Sequence, residues 1–334
     1  MLFDPELVCC PACFQKLSYR NDELTCSECK RYYPVIEGIP ALVDDPLLDT
    51  KLDQLDYDDH HGITDNSRQT ILSMWQTVFL ENAISGNAVL EIGCGTGQLT
   101  VALANLPSIQ TIHATDISQQ FLKMTQNTVG DSASPVFYYT CDANHLPFSD
   151  NQFDLIVANS VLHHLLDFPE VLKQCVRILK PGGCAVFFEP VLQGKIMVAF
   201  LADLMLRIHR KTGYGTLTEE DCNKIERMVK HITKSRDVGD DRNKLALMED
   251  KYVFDLHDLQ TAALNAGFST TAHRNNPAQD NNYRFNLHQH LRMAGIDENK
   301  LKDFRFLTNA AHDMLIEMIP RDLVTPMGFF IFRK

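Results

Sequence analysis

Residues 89–97, Val-Leu-Glu-Ile-Gly-Cys-Gly-Thr-Gly, constrain this chain more than any other stretch. A short apolar run, Ala88 to Leu90, leads into Glu91. Gly93, Gly95 and Gly97 then alternate with small residues, and a helix-compatible segment runs from Gln98 to Ala104. That order asks for a strand entering a tight turn where a ligand lies against bare backbone. Glycine tolerates both the unusual dihedrals and the close approach. The spacing is G-x-G-x-G, not the G-x-G-x-x-G of dinucleotide-binding folds. A carboxylate at Glu91 suits a cationic or amine-bearing ligand and would repel a pyrophosphate.

From Asn87 to Glu189 strand-like and helical runs alternate, the pattern of a parallel sheet with helices on both faces. Four further segments follow the glycine loop: Thr111–Asp116 with Ile117 after it, Cys141-Asp142-Ala143, Phe153–Asn159 leading to His163 and His164, and Leu179-Lys-Pro-Gly-Gly183 followed by Cys184–Glu189. In this order, across residues 86–190, the chain resembles class I S-adenosylmethionine-dependent methyltransferases of the type 11 kind. The resemblance implies an α/β, Rossmann-like fold with a seven-stranded sheet. It implies S-adenosyl-L-methionine as cofactor, with Glu91, Gly93, Cys94, Gly95 and Gly97 around its methionyl part. Asp116, with Ile117 beside it, would take the ribose hydroxyls. Asp142 and Ala143 would take the adenine, and Asn159 lies at the end of the fourth strand. An acid at Asp116 also suits NAD, so that residue alone does not separate the two cofactors.

Residues 9–43 form a separate small module. Cys10-Pro-Ala-Cys13 and Cys26-Ser-Glu-Cys29 stand twelve residues apart, each on a tight turn, with short strand-like segments between and after them. Two such pairs give four soft thiolates for a tetrahedral, structural Zn2+ site. Roughly 35 residues bury too little apolar surface to fold unaided, so the ion supplies the missing stability. Cys9 is a fifth thiol, read as a spectator. The module resembles the zinc ribbon that activates some tRNA and protein methyltransferases.

Three segments are therefore expected: a zinc ribbon at 1–43, a linker or cofactor cap at 44–70, and a methyltransferase domain at 71–334. The domain carries helical insertions at about 190–250 and 283–319. The acidic linker holds Tyr57 and His60, which either line the pocket or sit in solvent. The insertion helix Ile196–Leu206 is apolar on nearly every side. It packs in a core, forms a homodimer interface or covers an apolar acceptor.

The net charge of -12 disfavours a general nucleic-acid surface, although Arg207, His209, Arg210 and Lys211 form a local basic run. No basic start with a long apolar stretch opens the chain, and no apolar segment is long enough for stable membrane insertion. Ten cysteines without such a leader point to reduced thiols and a cytoplasmic protein.

Methyl transfer from a sulfonium needs alignment more than covalent help, and a base only where the acceptor loses a proton. His163 and His164 at the end of the fourth strand, and Glu189 at the end of the fifth, are the candidate catalytic or acceptor-orienting residues. A packing or capping role is the alternative for each. No Asn-Pro-Pro-Tyr or Pro-Cys motif of nucleobase methylation is present. A small-molecule acceptor is therefore expected. The rivals are an RNA or protein substrate docked by the ribbon, and a non-catalytic scaffold that only binds the cofactor.

Overall fold

A computed structural model describes residues 2–43, 65–130, 132–234, 242–248, 250–278, 283–318 and 325–334. Four short strands come first: β1 (Leu17–Arg20), β2 (Glu23–Cys26), β3 (Tyr32–Ile36) and β4 (Ile39–Leu42). Two-residue turns at Asn21–Asp22 and Glu37–Gly38, all at positive φ, join β1 to β2 and β3 to β4. Such turns match the twist of antiparallel strands.

The alternating region follows as α1 (Asp65–Glu81), β5 (Ala88–Ile92), α2 (Gln98–Ala104), β6 (Thr111–Asp116), α3 (Gln119–Val129), β7 (Val136–Cys141), β8 (Phe153–Asn159), α4 (Phe168–Ile178) and β9 (Leu179–Pro190). Beyond it lie α5 (Leu192–Thr212), α6 (Glu219–Lys234), α7 (Arg242–Ala246), α8 (Leu256–Ala266), β10 (Thr270–Asn275), α9 (Tyr283–Met293), α10 (Glu298–Asp303), α11 (Arg305–Met318) and β11 (Met327–Arg333). The strand order is β1-β2-β3-β4-β7-β6-β5-β8-β9-β11-β10. Strands β4 to β9 pair in parallel where they meet, from β4·β7 through β8·β9, and β11 runs antiparallel to both its neighbours.

Consecutive residues of the central strands bury on opposite faces, as the two-residue period of a strand requires. Leu90, Ile92, Ile156, Ala158, Phe187 and Phe330 pack under α4 and α8. Val89, Leu155, Val157, Val186 and Phe329 pack on the other face with Trp75 and Leu103, from α1 and α2. Trp75 is fully buried and meets Phe329 edge to face at 5.0 Å.

Three expectations change. The sheet is larger than seven strands, because β4 pairs with β7 (Ala41 with Thr140, Leu42 with Cys141) and carries the ribbon into it. The backbone edge that a seven-stranded sheet leaves open is thereby used. Helix α1 starts at Asp65, inside the stretch read as linker, because its polar first turn shows no apolar period. Tyr57 and His60 lie outside the described residues. Finally, the two insertions are one unit: Val198, Met205, Ile225, Leu287, Leu291, Leu301 and Leu315, from α5, α6, α9, α10 and α11, share one core with Phe304. Among the described residues no helix is long and apolar enough to cross a membrane.

Candidate active site

The strand register lines up the carboxyl ends of five adjacent strands. Ile92 lies beside both Thr115 and Ala158, Asp116 beside Thr140, and Asn159 beside Phe188. Asp142, Asp116, the Gly93–Gly97 loop, Asn159 and Glu189 therefore stand in one row along the sheet edge. The chain winds outward in both directions from β5 and β8, and ligands of open α/β sheets bind at that switch point.

The loop itself needs its glycines. Gly93, Gly95 and Gly97 have φ of 66°, 53° and 89°. At Gly93 a Cβ would also fall 2.7 Å from Cγ2 of Val161, so only bare backbone passes. The Cys94 amide donates to the Thr115 carbonyl at 2.9 Å, tying the loop to β6. The Cys94 side chain is buried and accepts from Thr125, and does not face outward.

Glu91 is buried, and its Oε2 accepts from the Thr100 hydroxyl at 2.7 Å. Burial pushes its carboxyl up to about 8; the Thr100 bond opposes this and the Asp116 charge adds to it. Asp116 accepts from the Gly95 amide at 3.0 Å and the Ser118 amide at 2.9 Å. Burial still raises its pKa, against the amides of Ser118, Gly95 and Ile117. Neither acid has an ion-pair partner among the described residues. Two buried acids without a cation make a site suited to a hydroxyl-rich ligand whose positive charge would restore their ionisation.

The rest of the row is more open. Asp142 caps the short 3-10 turn Ala143–His145, accepting from the amide and the side-chain nitrogen of Asn144 at 2.9 Å each. Ile117 is a large apolar side chain left 43% exposed at the rim. The side-chain oxygens of Asn144 and Asn159 are buried without a hydrogen-bond partner, an unusual cost inside a folded protein. Orphaned acceptors and an exposed apolar side chain along one row fit a ligand with both polar edges and a flat ring.

At the other end of the row, Glu189 is wholly buried. Its Oε1 accepts from the amides of Val161 and Leu162 at 2.9 and 2.8 Å, and its Oε2 lies 2.6 Å from Nδ1 of His163. Both oxygens are thus occupied by the protein. Burial lowers the His163 pKa, but the hydrogen bond and charge of Glu189, with Asp250, outweigh it and raise the pKa overall. The His163 and His164 rings lie 3.9 Å apart between centroids. Asp250 lies 3.6 Å from Nε2 of His163 and 3.4 Å from Nδ1 of His164. Lys195, from α5, bonds Nε2 of His290 at 3.2 Å, and burial lowers its pKa.

Asp250, Lys195 and His290 carry no local sequence signal and were not anticipated. They reach the site from the two insertions and the segment between them. Thr100, Thr125 and Val161, which fix the glycine loop, were also not anticipated.

The four expected sulfurs converge elsewhere. Cys10, Cys13, Cys26 and Cys29 bring their Sγ atoms within 4.8 Å of one another, while Cys9 is outside this group. Sulfur pairs Cys10–Cys29 and Cys13–Cys26 are each 3.5 Å apart, and the Tyr33 hydroxyl lies 3.2 Å from the Cys10 sulfur. A tetrahedron with metal–sulfur bonds of about 2.3 Å has edges of roughly 3.8 Å. The group fits such an ion after a small expansion.

Residues 90–187 match the family model of a methyltransferase domain, and residues 6–38 that of a Trm112p-like protein. A demethylmenaquinone methyltransferase of Lactiplantibacillus plantarum is 37% identical over 117 residues, 34% of this chain and 49% of that protein. A ubiquinone/menaquinone biosynthesis C-methyltransferase, UbiE, of Saccharophagus degradans is 36% identical over 34% of this chain and 47% of its own length. This chain thus spans about half the length of the curated relatives it matches. Among solved structures, a complex of the Haloferax volcanii Trm112 methyltransferase activator with a methyltransferase overlaps 85% of this chain and 99% of that one. The identity there is 15% and the TM-score 0.48, too distant to bear on function. Two stretches of this chain are thus similar to known families: residues 90–187 to a methyltransferase domain and residues 6–38 to a Trm112p-like protein.

Proposed function

We propose that the protein is an S-adenosylmethionine-dependent methyltransferase acting on a small-molecule acceptor. The observation that carries this reading is the pair of buried acids, Glu91 and Asp116, flanking a three-glycine turn at the switch point of the sheet. When bound, S-adenosylmethionine supplies a methyl group activated by its sulfonium and leaves as S-adenosylhomocysteine. Glu91 and the Gly93–Gly97 backbone would hold its amino acid end, and Asp116 its ribose diol. Asp142, Ala143 and Ile117 would hold the adenine, with Asn159 closing the floor. Cys10, Cys13, Cys26 and Cys29 would hold a structural zinc ion with no open position.

The acceptor would lie beyond Asn159, under His163 and His164, where Glu189 fixes the His163 ring. In this reading an imidazole would meet an oxygen or a proton of the acceptor. The relatives named for ubiquinone and menaquinone methylation support a small molecule. The Trm112p-like match supports a second reading, an RNA or protein substrate docked on the ribbon.

Calorimetry tests the first claim. S-adenosylhomocysteine is expected to bind the wild-type chain and to lose measurable binding in Asp116→Ala. Binding of a nicotinamide nucleotide in its place would overturn it. For the second reading, salt-sensitive retention of RNA that depends on Lys16, Arg20, Lys30 and Arg31 would displace the small-molecule acceptor.

A further inference from the structure

We propose that His163, His164 and Asp250 form a second metal site, which binds a divalent first-row transition ion beside the methyl-acceptor position. Their candidate ligand atoms all lie within 4.8 Å of one another. The separations from Asp250, 3.6 Å to Nε2 of His163 and 3.4 Å to Nδ1 of His164, are long for charge-assisted hydrogen bonds. They do match the edge of a coordination tetrahedron. With metal–ligand bonds of about 2.0–2.1 Å, neighbouring ligands stand roughly 3.3–3.4 Å apart.

The surroundings are built as a metal site requires. Glu189, fully buried, accepts from Nδ1 of His163 at 2.6 Å, so the lone pair of His163 sits on Nε2, the atom turned to Asp250. A carboxylate behind a ligating imidazole is the usual outer shell of such sites; it fixes the tautomer and strengthens the ligand. Glu189 is itself held by the Val161 and Leu162 amides. On the other side, the His163 carbonyl accepts from the Lys251 and Tyr252 amides at 2.8 and 3.2 Å, which anchors the segment bearing Asp250. The nearby Lys195 is partly buried and donates to His290, whose Nδ1 is spent on the Asn286 carbonyl.

Two neutral imidazoles and one carboxylate select zinc, iron, cobalt or nickel over magnesium or calcium, which prefer all-oxygen shells. The loaded site would keep one net positive charge and open positions. It would therefore take an acceptor with an ionisable oxygen, such as an enol, a phenol or a carboxylic acid. This assignment rests on the methyltransferase reading, since it places the ion at the acceptor end of the same site.

The test uses the full chain with its ribbon first filled by one equivalent of zinc. Cobalt(II) is then titrated, followed by visible absorption and by metal analysis after desalting. One further equivalent is expected, with ligand-field bands but no thiolate charge-transfer. Glu189→Gln is expected to weaken it roughly tenfold or more. Asp250→Asn combined with His164→Ala, both at exposed positions, is expected to abolish it while S-adenosylhomocysteine binding persists. Uptake stopping at one equivalent, or undiminished in the double variant, overturns the metal site. Failure of the wild-type chain to bind S-adenosylhomocysteine would instead strike the methyltransferase reading.

Discussion

The ribbon and the helical insertions are both additions to the same sheet, yet they are attached in opposite ways. The ribbon is stitched in by main chain and by a shared core. β4 pairs with β7, the Tyr138 amide donates to the Leu2 carbonyl at 2.8 Å, and the Cys9 amide to Pro147 at 2.8 Å. Phe3, Val8, Leu24 and Tyr33 belong to the same apolar cluster as Tyr139 and Phe148. The insertions instead keep their own core. A region that shares its core with the sheet constrains the sheet's stability. A region with its own core can change its surface, and so its acceptor, at little cost to the cofactor half.

Removing the proposed zinc site of the ribbon is the largest test of that contrast. Cys13→Ser with Cys26→Ser, or a strong chelator, should forfeit binding energy on the order of 10 kcal/mol, comparable with a whole domain's stability. Because Tyr139 and Phe148 lose their cover, calorimetric melting of the sheet should fall with the ribbon. Two separate transitions, the sheet's unchanged, would show that the shared core counts for nothing. Next comes Phe304→Ala, which opens a cavity at a fully buried ring in the insertion core. A loss of about 3–5 kcal/mol is expected, confined to α5, α6 and α9–α11 in hydrogen exchange. S-adenosylhomocysteine affinity should hold; an equal fall in affinity would erase the distinction between the two additions.

A smaller effect probes the seam itself. Gln119, at the start of α3, donates to the Ile36 carbonyl of the ribbon at 3.1 Å and accepts from the Thr140 hydroxyl. Gln119→Ala leaves buried partners unmatched and should lower stability by about 1–3 kcal/mol, with protection lost first at β4 and β7. Unchanged exchange at β4 would show that the seam rests on the main chain alone.

What could be read in advance divides along the same lines. The glycine turn, the acid at Asp116 and the paired cysteines each state a local backbone demand in adjacent residues. Local demands survive folding. The meeting of Asp250 with His163, the bond from Gln119 to Ile36, and the fusion of two insertions into one core join residues far apart in the chain. No periodicity or spacing encodes them. Glu189 falls between these cases: its place at a strand end was legible, but its full engagement by Val161, Leu162 and His163 depends on how the turn after β8 folds back. The start of α1 was obscured because polar residues open it.

The strand ends between the two additions belong to neither, and Glu91 offers the finest test of their independence. Its carboxyl is raised from an ordinary 4.5 to about 8, chiefly by burial. Between those values the folded protein holds a proton that the unfolded chain has lost, so this group's contribution to stability falls as pH rises through that window. A ligand that sets an ammonium beside Glu91, as the amino group of S-adenosylhomocysteine would, reverses the preference, because it is the ionised carboxylate that binds that charge. Affinity for S-adenosylhomocysteine should therefore rise about fivefold between pH 7 and 8, with a proton released on binding below pH 8. Calorimetry in buffers of different ionisation enthalpy measures both quantities. Glu91→Gln should flatten the pH dependence and abolish the proton release. Phe304→Ala should leave both intact, whereas a pH dependence that moved with the insertion core would tie the cofactor pocket to the helices that this contrast sets apart from it.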